Sequence, residues 1–345
     1  MSVKVGILGA TGAVGQRFIQ LLTDNSDFTI SAVTASPESE GLTYQNACDW
    51  RLDVPMPEAI AELEVRATEP TAVPDDIDLL FSSLPSDVAD DIEPTFADAG
   101  YMVCSNSSNE RLSPDVPLII PEINPDHLDL LSIQQKTRNW EGALIKNPNC
   151  STITMVPPLA ALQQFGIKNV HVATLQAVSG AGYTGVSSME IIDNVIPHIG
   201  GEEKKMETEP QKILGTLSSE AVEPASLSIS ASCNRVPTID GHLENVWVET
   251  EEGLSPADVK DAFNELDQID LPSAPESLIS IREDPARPQP RLDRMENAGM
   301  SIVVGGIEST EEGILFNCLA HNTIRGAAGA SVLNGELLHQ NGYLS

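Results

Sequence analysis

Residues 3–22 read VKVGILGATGAVGQRFIQLL, and the change of pattern inside this stretch decides the fold. Val3 to Leu8 is a short apolar run of buried-strand character, whereas from Gly12 the apolar positions Val14, Phe18, Leu21 and Leu22 follow helical spacing. A strand therefore passes into a helix through Gly9, Ala10, Thr11, Gly12, Ala13, Val14 and Gly15. Glycines at such a turn let the backbone approach a pyrophosphate, whose charge meets the free N–H groups and positive end of the helix. The spacing is GxxGxxG rather than GxGxxG, and glycines also serve plain tight turns, so the position after the first strand carries the reading. Gly9, Thr11, Gly12, Ala13 and Val14 are the candidate contacts to a dinucleotide.

Downstream, a second strand, Thr29 to Thr34, ends in Thr34, Ala35 and Ser36 with no carboxylate where an NAD site places one for the ribose 2′-hydroxyl. Ser36, Ser39 and the Gly41 amide are donors for a 2′-phosphate instead, against the plainer reading of a solvated serine loop, and NADP is the expected cofactor. Further strands are expected at 64–67, 77–82 and 101–105, with a helix over 88–99. This β-α-β alternation predicts a doubly wound parallel sheet. After Asn149 the texture changes to strands near 170–177, 226–231, 244–249, 301–305 and 313–319. The fold class predicted is α/β: an N-terminal Rossmann-like domain (1–149 with 321–345) and a second α+β catalytic and dimerisation domain (150–320). Its sheet is expected to be mainly antiparallel. A helix of small residues over 323–338 is assigned back to the first domain. Residues 131–142 carry no readable motif, and 284–294 reads as a surface loop.

Composition narrows the partners. The 345 residues are 41% hydrophobic and 20% charged, as in a soluble folded chain, and 19 Lys plus Arg against 51 Asp plus Glu leave a net charge of −32. Such a field repels a phosphate backbone, which excludes nucleic acid. Spread evenly along the chain, the surplus predicts a protein working in concentrated salt, where repulsion is screened over about 3 Å at 1 M. No apolar stretch approaches the roughly 18 residues of a membrane span, and the chain begins directly in a strand, so cytoplasmic residence is expected. The five cysteines and six histidines are scattered without CxxC or HExxH spacing, so neither a disulfide framework nor a metal is expected.

One cysteine stands apart. Cys150 follows Asn147, Pro148 and Asn149 and opens an apolar, helix-like stretch. A helix N-terminus stabilises a thiolate, so a lowered pKa and a nucleophilic role are expected, while Cys48, Cys104, Cys233 and Cys318 read as small buried hydrophobes.

Together with the glycine loop, the segments NPNCST (147–152), SGAGYTG (179–185), EEKK (202–205) and RVPTIDGH (235–242) resemble aspartate-β-semialdehyde dehydrogenase in its archaeal and fungal-like branch, over nearly the whole chain. The resemblance implies NADPH-dependent reductive dephosphorylation of L-aspartyl-4-phosphate to L-aspartate 4-semialdehyde through a cysteine thioester, in lysine, threonine and methionine biosynthesis. It further implies a homodimer or homotetramer. Carried over by position, Cys150 is the nucleophile and His242 the acid/base group. Arg235 grips the substrate α-carboxylate, Glu202 faces its ammonium, and Asn149 lies beside the substrate. Arg111 and Lys205 serve the phosphate, with the acid Glu110 uncomfortably close. Ser82, Ser83 and Pro85 match the loop beside the adenosine half of the cofactor, Gly180 and Gly182 a backbone approach to nicotinamide, and Asn322 the neighbourhood of its carboxamide.

Two relatives of this chemistry compete. Malonyl-CoA reductase passes a similar thioester to NADPH, but Glu202 has no ammonium to meet in a malonyl group; N-acetylglutamyl phosphate reductase acts on a substrate without a free amine. A non-catalytic dinucleotide sensor would keep the glycine loop but has no use for Cys150, His242 and Arg235.

Overall fold

The computed structural model describes residues 2–344 apart from 220, 252, 267 and 312. Six strands, Val3–Leu8 (β1), Phe28–Thr34 (β2), Val65–Arg66 (β3), Leu79–Ser82 (β4), Met102–Ser105 (β5) and Ala143–Lys146 (β6), form an all-parallel sheet in the order β3-β2-β1-β4-β5-β6. β4, β5 and β6 are buried at every residue, as a parallel sheet covered on both faces requires. The order turns between β1 and β4, and the loops leaving their C-terminal ends diverge there to open a crevice. The first helix, Ala13–Leu22, packs Phe18 on Phe81 with ring centroids 5.1 Å apart. The C-terminal helix, Gly329–Gln340, enters the same core through Leu333, Leu337 and Leu338, and a Cβ on Gly335 would lie 2.8 Å from the Phe81 ring. The start predicted at Thr323 is instead a wider π turn over Ile324–Ala328.

The stretch 131–142, silent in sequence, is a brace. The helix Leu130–Arg138 holds β6 through Gln134, whose side chain bonds both main-chain groups of Leu144, and Arg138 pairs with Asp115 and Glu110. Glu110 is thereby turned to Arg138 and Ser113. Beneath β6, Lys146 is fully buried and donates to Glu93 at 2.5 Å and to Ser105 and Ser107.

The second domain departs from expectation. The remaining strands are Ile167–Gln176 (β7), a small pair Thr216–Leu217 (β8) and Val222–Glu223 (β9), Ser228–Arg235 (β10), His242–Thr250 (β11), Ile279–Arg282 (β12), Ile302–Ser309 (β13) and Ile314–Ala320 (β14). The large sheet runs β10-β7-β11-β14-β13-β12 and is mixed rather than mainly antiparallel: β10 with β7 and β12 with β13 are parallel, while the three central pairings are antiparallel. The reason is topological. β7 reaches β10 by a long crossover containing the helix Glu202–Ile213, and a crossover returns the chain in the same direction. The helix Cys150–Leu162 and the helix Pro256–Glu265 cover one face, with Ile153, Val156, Leu159 and Phe263 against Val172, Val246 and Phe316. On the other face His171, Ser230 and Trp247 remain open to solvent. The segment 284–294 lies largely at the surface and is anchored there, because Arg282 and Arg287 pair with the buried carboxylate of Asp293.

Candidate active site

Cys150 is the first residue of its helix, and the local sequence explains why. β6 delivers the chain to the sheet's C-terminal edge, and Asn149 then caps the helix, its Oδ1 accepting from Ser151 N (2.9 Å) and Thr152 N (3.2 Å). The other end of that amide, Nδ2, donates to Glu202 Oε1 at 2.8 Å. A Cβ at Gly326 would lie 2.7 Å from Cys150 Cβ, so the π turn passes directly against the cysteine. That glycine, in a segment read only as close helix packing, is a site residue the sequence did not announce.

The cavity above Cys150 has a volume of about 460 Å³ and collects Asn149, Arg111, Glu202, Lys205, Arg235, Gly180, Gly182 and Asn322 with Ala13 and Val14 of the glycine loop. Arg235 donates to the Ala177 carbonyl at 2.7 Å, and Lys205 pairs with Glu202 at 3.2 Å. His242 does not line the cavity. It is fully buried behind Gly180: a Cβ there would sit 2.9 Å from Arg235 Nη1 and 3.3 Å from His242 Nε2. Gly180 thus makes room for two protein groups, a function the reading of a backbone approach to nicotinamide did not contain. Asn322 has both ends of its amide engaged, accepting from Gly241 N and donating to Ser179, which fixes the turn that leads into His242.

The titration behaviour of the site corrects one expectation. Burial pushes the Cys150 thiol up to about 12, Glu202 adds to the rise, and Lys205, Arg235 and Arg111 only partly oppose it. The expected fall in pKa is reversed because the helix N-terminus lies at a desolvated carboxylate-bearing wall. Burial, with Arg235 and His321, also pushes His242 down to about 3. Its Nδ1 accepts from Ala177 N at 3.1 Å, so the neutral ring carries its proton on Nε2, which has no partner.

A second cavity, of about 610 Å³, lies on the opposite side of the glycine loop and is lined by Gly9, Thr11, Gly12, Ser36, Thr68, Ser83, Pro85 and the apolar Leu84, Val88 and Ile92. Its floor is a cradle for close approach: Gly9 has φ +76°, and a Cβ at Gly15 would come 2.4 Å from Gly9 O. The helix Ala13–Leu22 has no side-chain cap, leaving its first N–H groups free for an anion. These features fit a dinucleotide. Two expected contacts fall elsewhere: Ser82 is fully buried and donates to Glu93, because a parallel strand alternates its residues away from the crevice, and Ser39 is turned into a short 3₁₀ helix outside the lining. Glu40 and Glu69 line the cavity, and no Lys or Arg does among the described residues. Glu40 stands between Ser39 and Gly41, the donors expected for a 2′-phosphate, and only Glu69 lies far in sequence from the end of β2.

Comparison with known proteins places this geometry. Residues 4–131 match the semialdehyde dehydrogenase NAD-binding domain and residues 158–325 the semialdehyde dehydrogenase dimerisation domain. The aspartate-semialdehyde dehydrogenase of Archaeoglobus fulgidus is 49% identical over 98% of both chains, and that of Schizosaccharomyces pombe 44% identical over 99% of both. The chain belongs to the aspartate-semialdehyde dehydrogenase family. Among solved structures, the Candida albicans enzyme with NADP superposes with a TM-score of 0.89 at 38% identity, over 98% of this chain and 99% of that one. The Vibrio cholerae aspartate semialdehyde dehydrogenase II complexed with ASA superposes at 0.78 and 27% identity, over 99% of both chains. Family membership explains why one cavity holds a thiol, two arginines and a carboxylate beside a dinucleotide cradle. Among the described residues no cluster of His, Cys, Asp and Glu suits a metal, and no helix is long and apolar enough to cross a membrane.

Proposed function

We propose that this chain is an oxidoreductase that reduces L-aspartyl-4-phosphate to L-aspartate 4-semialdehyde and inorganic phosphate with NADPH, by way of a thioester on Cys150. The observation that carries the reading is the 460 Å³ cavity, which sets Cys150 among Arg111, Arg235, Glu202 and Lys205 at the edge of the glycine loop. Residues 1–149 with 321–345 serve the cofactor and 150–320 the chemistry. The product supplies lysine, threonine and methionine biosynthesis in the cytoplasm. The open sheet face bearing His171 and Trp247 belongs to the dimerisation domain and is assigned to a second copy of the chain, as homodimer or homotetramer.

Arg235 and Glu202 act as a ruler for an amino acid, one taking the α-carboxylate and the other the α-ammonium by charge-assisted hydrogen bonds. Binding of the ammonium neutralises Glu202 and withdraws one of the two influences that keep Cys150 protonated. Sγ then attacks the acyl carbon as its S–H bond breaks, the C–O bond to phosphate breaks, the thiol proton leaves on the phosphate, and the hydrogen phosphate dianion so formed is received by Arg111 and Lys205. His242 holds a proton at Nε2 behind Gly180, outside the cavity lining, and would donate to the oxygen on which negative charge grows once the Gly180 loop shifts to expose it. Bound NADPH supplies the hydride that reduces the thioester. The cradle of Gly9, Thr11, Gly12, Ala13 and Val14 would hold its pyrophosphate, with Ser83 and Pro85 beside the adenosine and the hydroxyls of Ser36 and Thr68 near the ribose.

The test is phosphate-dependent reduction of NADP or NAD with L-aspartate semialdehyde, beside malonyl semialdehyde plus coenzyme A. Turnover with the first pair and none with the second is expected. Preference for the malonyl pair would overturn the substrate assignment, and no turnover with either would overturn the enzymatic one.

A further inference from the structure

The helix Glu202–Ile213 turns one face to the catalytic cavity, and Glu202, Lys205, Glu209 and Lys212 recur along it at helical spacing. Glu209 is 2% exposed, and neither carboxylate oxygen is idle: Oε1 accepts from Arg111 Nη1 at 2.8 Å and Oε2 from the main-chain N–H of Asn149 at 2.7 Å. One turn on, Lys212 Nζ donates to the carbonyls of Arg111, Ser113 and Val116 at 2.9, 2.7 and 2.6 Å. The same face therefore holds Arg111 twice, by its side chain and by its main chain. Arg111 Nη2 donates to the Asn106 carbonyl at 2.7 Å, so one N–H of each Nη is taken and the second N–H of each remains, while Nε is buried without a partner. Asn149, at the other oxygen of Glu209, is the residue that caps the helix of Cys150.

We propose that Glu209 is a positioning residue for the reaction: one carboxylate ties the arginine that receives the phosphate to the loop that presents the nucleophile, and so fixes the distance between them. The inference rests on the dehydrogenase reading above. Only an ionised carboxylate fits both ties, since each oxygen accepts from a different donor; the amide of a glutamine offers one acceptor and turns its own N–H groups toward the other donor. The buried charge is neutralised by Arg111 at hydrogen-bond distance, which is how such a carboxylate is tolerated in the interior. Phosphoryl departure, and phosphate attack in the reverse direction, both depend on where that guanidinium stands relative to Sγ.

The experiment follows phosphate-dependent oxidation of aspartate semialdehyde in E209Q, E209D, R111K and the double variant E209Q/R111K. E209Q is expected to lower kcat/KM for inorganic phosphate by about 10- to 100-fold, the loss that a misplacement near 1 Å produces. KM for aspartate semialdehyde should change far less than kcat/KM for phosphate, because Arg235 is untouched and Glu202 is reached only through Asn149. The double variant should lose less than the product of the two single losses, since both act on one contact. Equal losses for phosphate and semialdehyde, full multiplicativity, or an unchanged phosphate kcat/KM would each overturn the proposal. Should E209Q fail to fold, E209D keeps the charge on a shorter arm, and the same phosphate-selective loss is required of it. A wild-type chain without phosphate-dependent turnover would overturn the functional reading itself, whereas active wild type with an indistinguishable, folded E209Q overturns this inference alone.

Discussion

Gly180 has no side chain because Arg235 and His242 already occupy the space one would need. In Gly180→Ala the new methyl meets Arg235 Nη1 at 2.9 Å, and the guanidinium must leave the Ala177 carbonyl or the loop must move. Steady-state kinetics should show kcat/KM for aspartate semialdehyde reduced about 10- to 100-fold. Thermal melting should barely change, since the loop contributes little to either core; a wild-type kcat/KM would mean that neither group is held where the reaction needs it. Glu202 offers a second measurement at this scale. Its charge raises the Cys150 thiol pKa, so Glu202→Gln should lower it and shift the pH profile of iodoacetamide alkylation toward acid in the substrate-free enzyme. Turnover of aspartate semialdehyde should nevertheless fall, because the ammonium loses its partner. A variant whose alkylation profile moves toward base, or does not move, would show that Glu202 does not govern the thiol.

At the scale of elements, the buried pair beneath β6 joins the helix Ser86–Asp98 to the strand that carries the nucleophile loop. Lys146→Met should leave Glu93 charged and unpaired, and removal of one member of such a pair costs about 3–5 kcal/mol. Urea unfolding should show that loss, and adding Glu93→Leu should restore much of it; a single variant as stable as wild type would mean that water or another cation reaches Glu93. What was legible in sequence divides along the same lines. The glycine loop and the alternation after it could be read because turn chemistry and periodicity are local. β6 and β12 were missed although they are no shorter than β4 and β5, because ALIK and ISIR lie outside the β-α-β alternation that flagged those two. Strand direction in the second sheet was misjudged because it is set by crossovers such as the one through 202–213, which the strands themselves do not encode. Cys150, Arg235 and Glu202 were visible through motifs, whereas Glu209 lies outside them and carries no local signal. Only the folded packing shows that its helix face points inward.

For the molecule as a whole, the net charge of −32 is an electrostatic load that the buried pairs do not carry. Glu93, Glu122 and Glu209 each have a cation at hydrogen-bond distance, and burial pushes the Glu244 and Glu336 carboxyls up, so the surplus resides mainly in the exposed acids, whose mutual repulsion depends on the solvent. Between 0.1 and 3 M KCl the Debye length falls from about 10 Å to under 3 Å, shorter than most separations between surface carboxylates. We therefore expect the melting temperature to climb over that range and then level off as screening is exhausted. The cofactor cavity should follow the same curve more steeply for one ligand than the other. Glu40 and Glu69 line it without a balancing Lys or Arg among the described residues, and the 2′-phosphate of NADP brings further negative charge to that wall. KM for NADP should thus drop with salt further than KM for NAD, raising the preference for NADP in concentrated KCl. Parallel salt curves for the two cofactors would place the 2′-phosphate away from Glu40 and Glu69. A flat melting temperature would mean that counterions already bound at low salt neutralise the surface, and that the acidity is no adaptation to concentrated electrolyte.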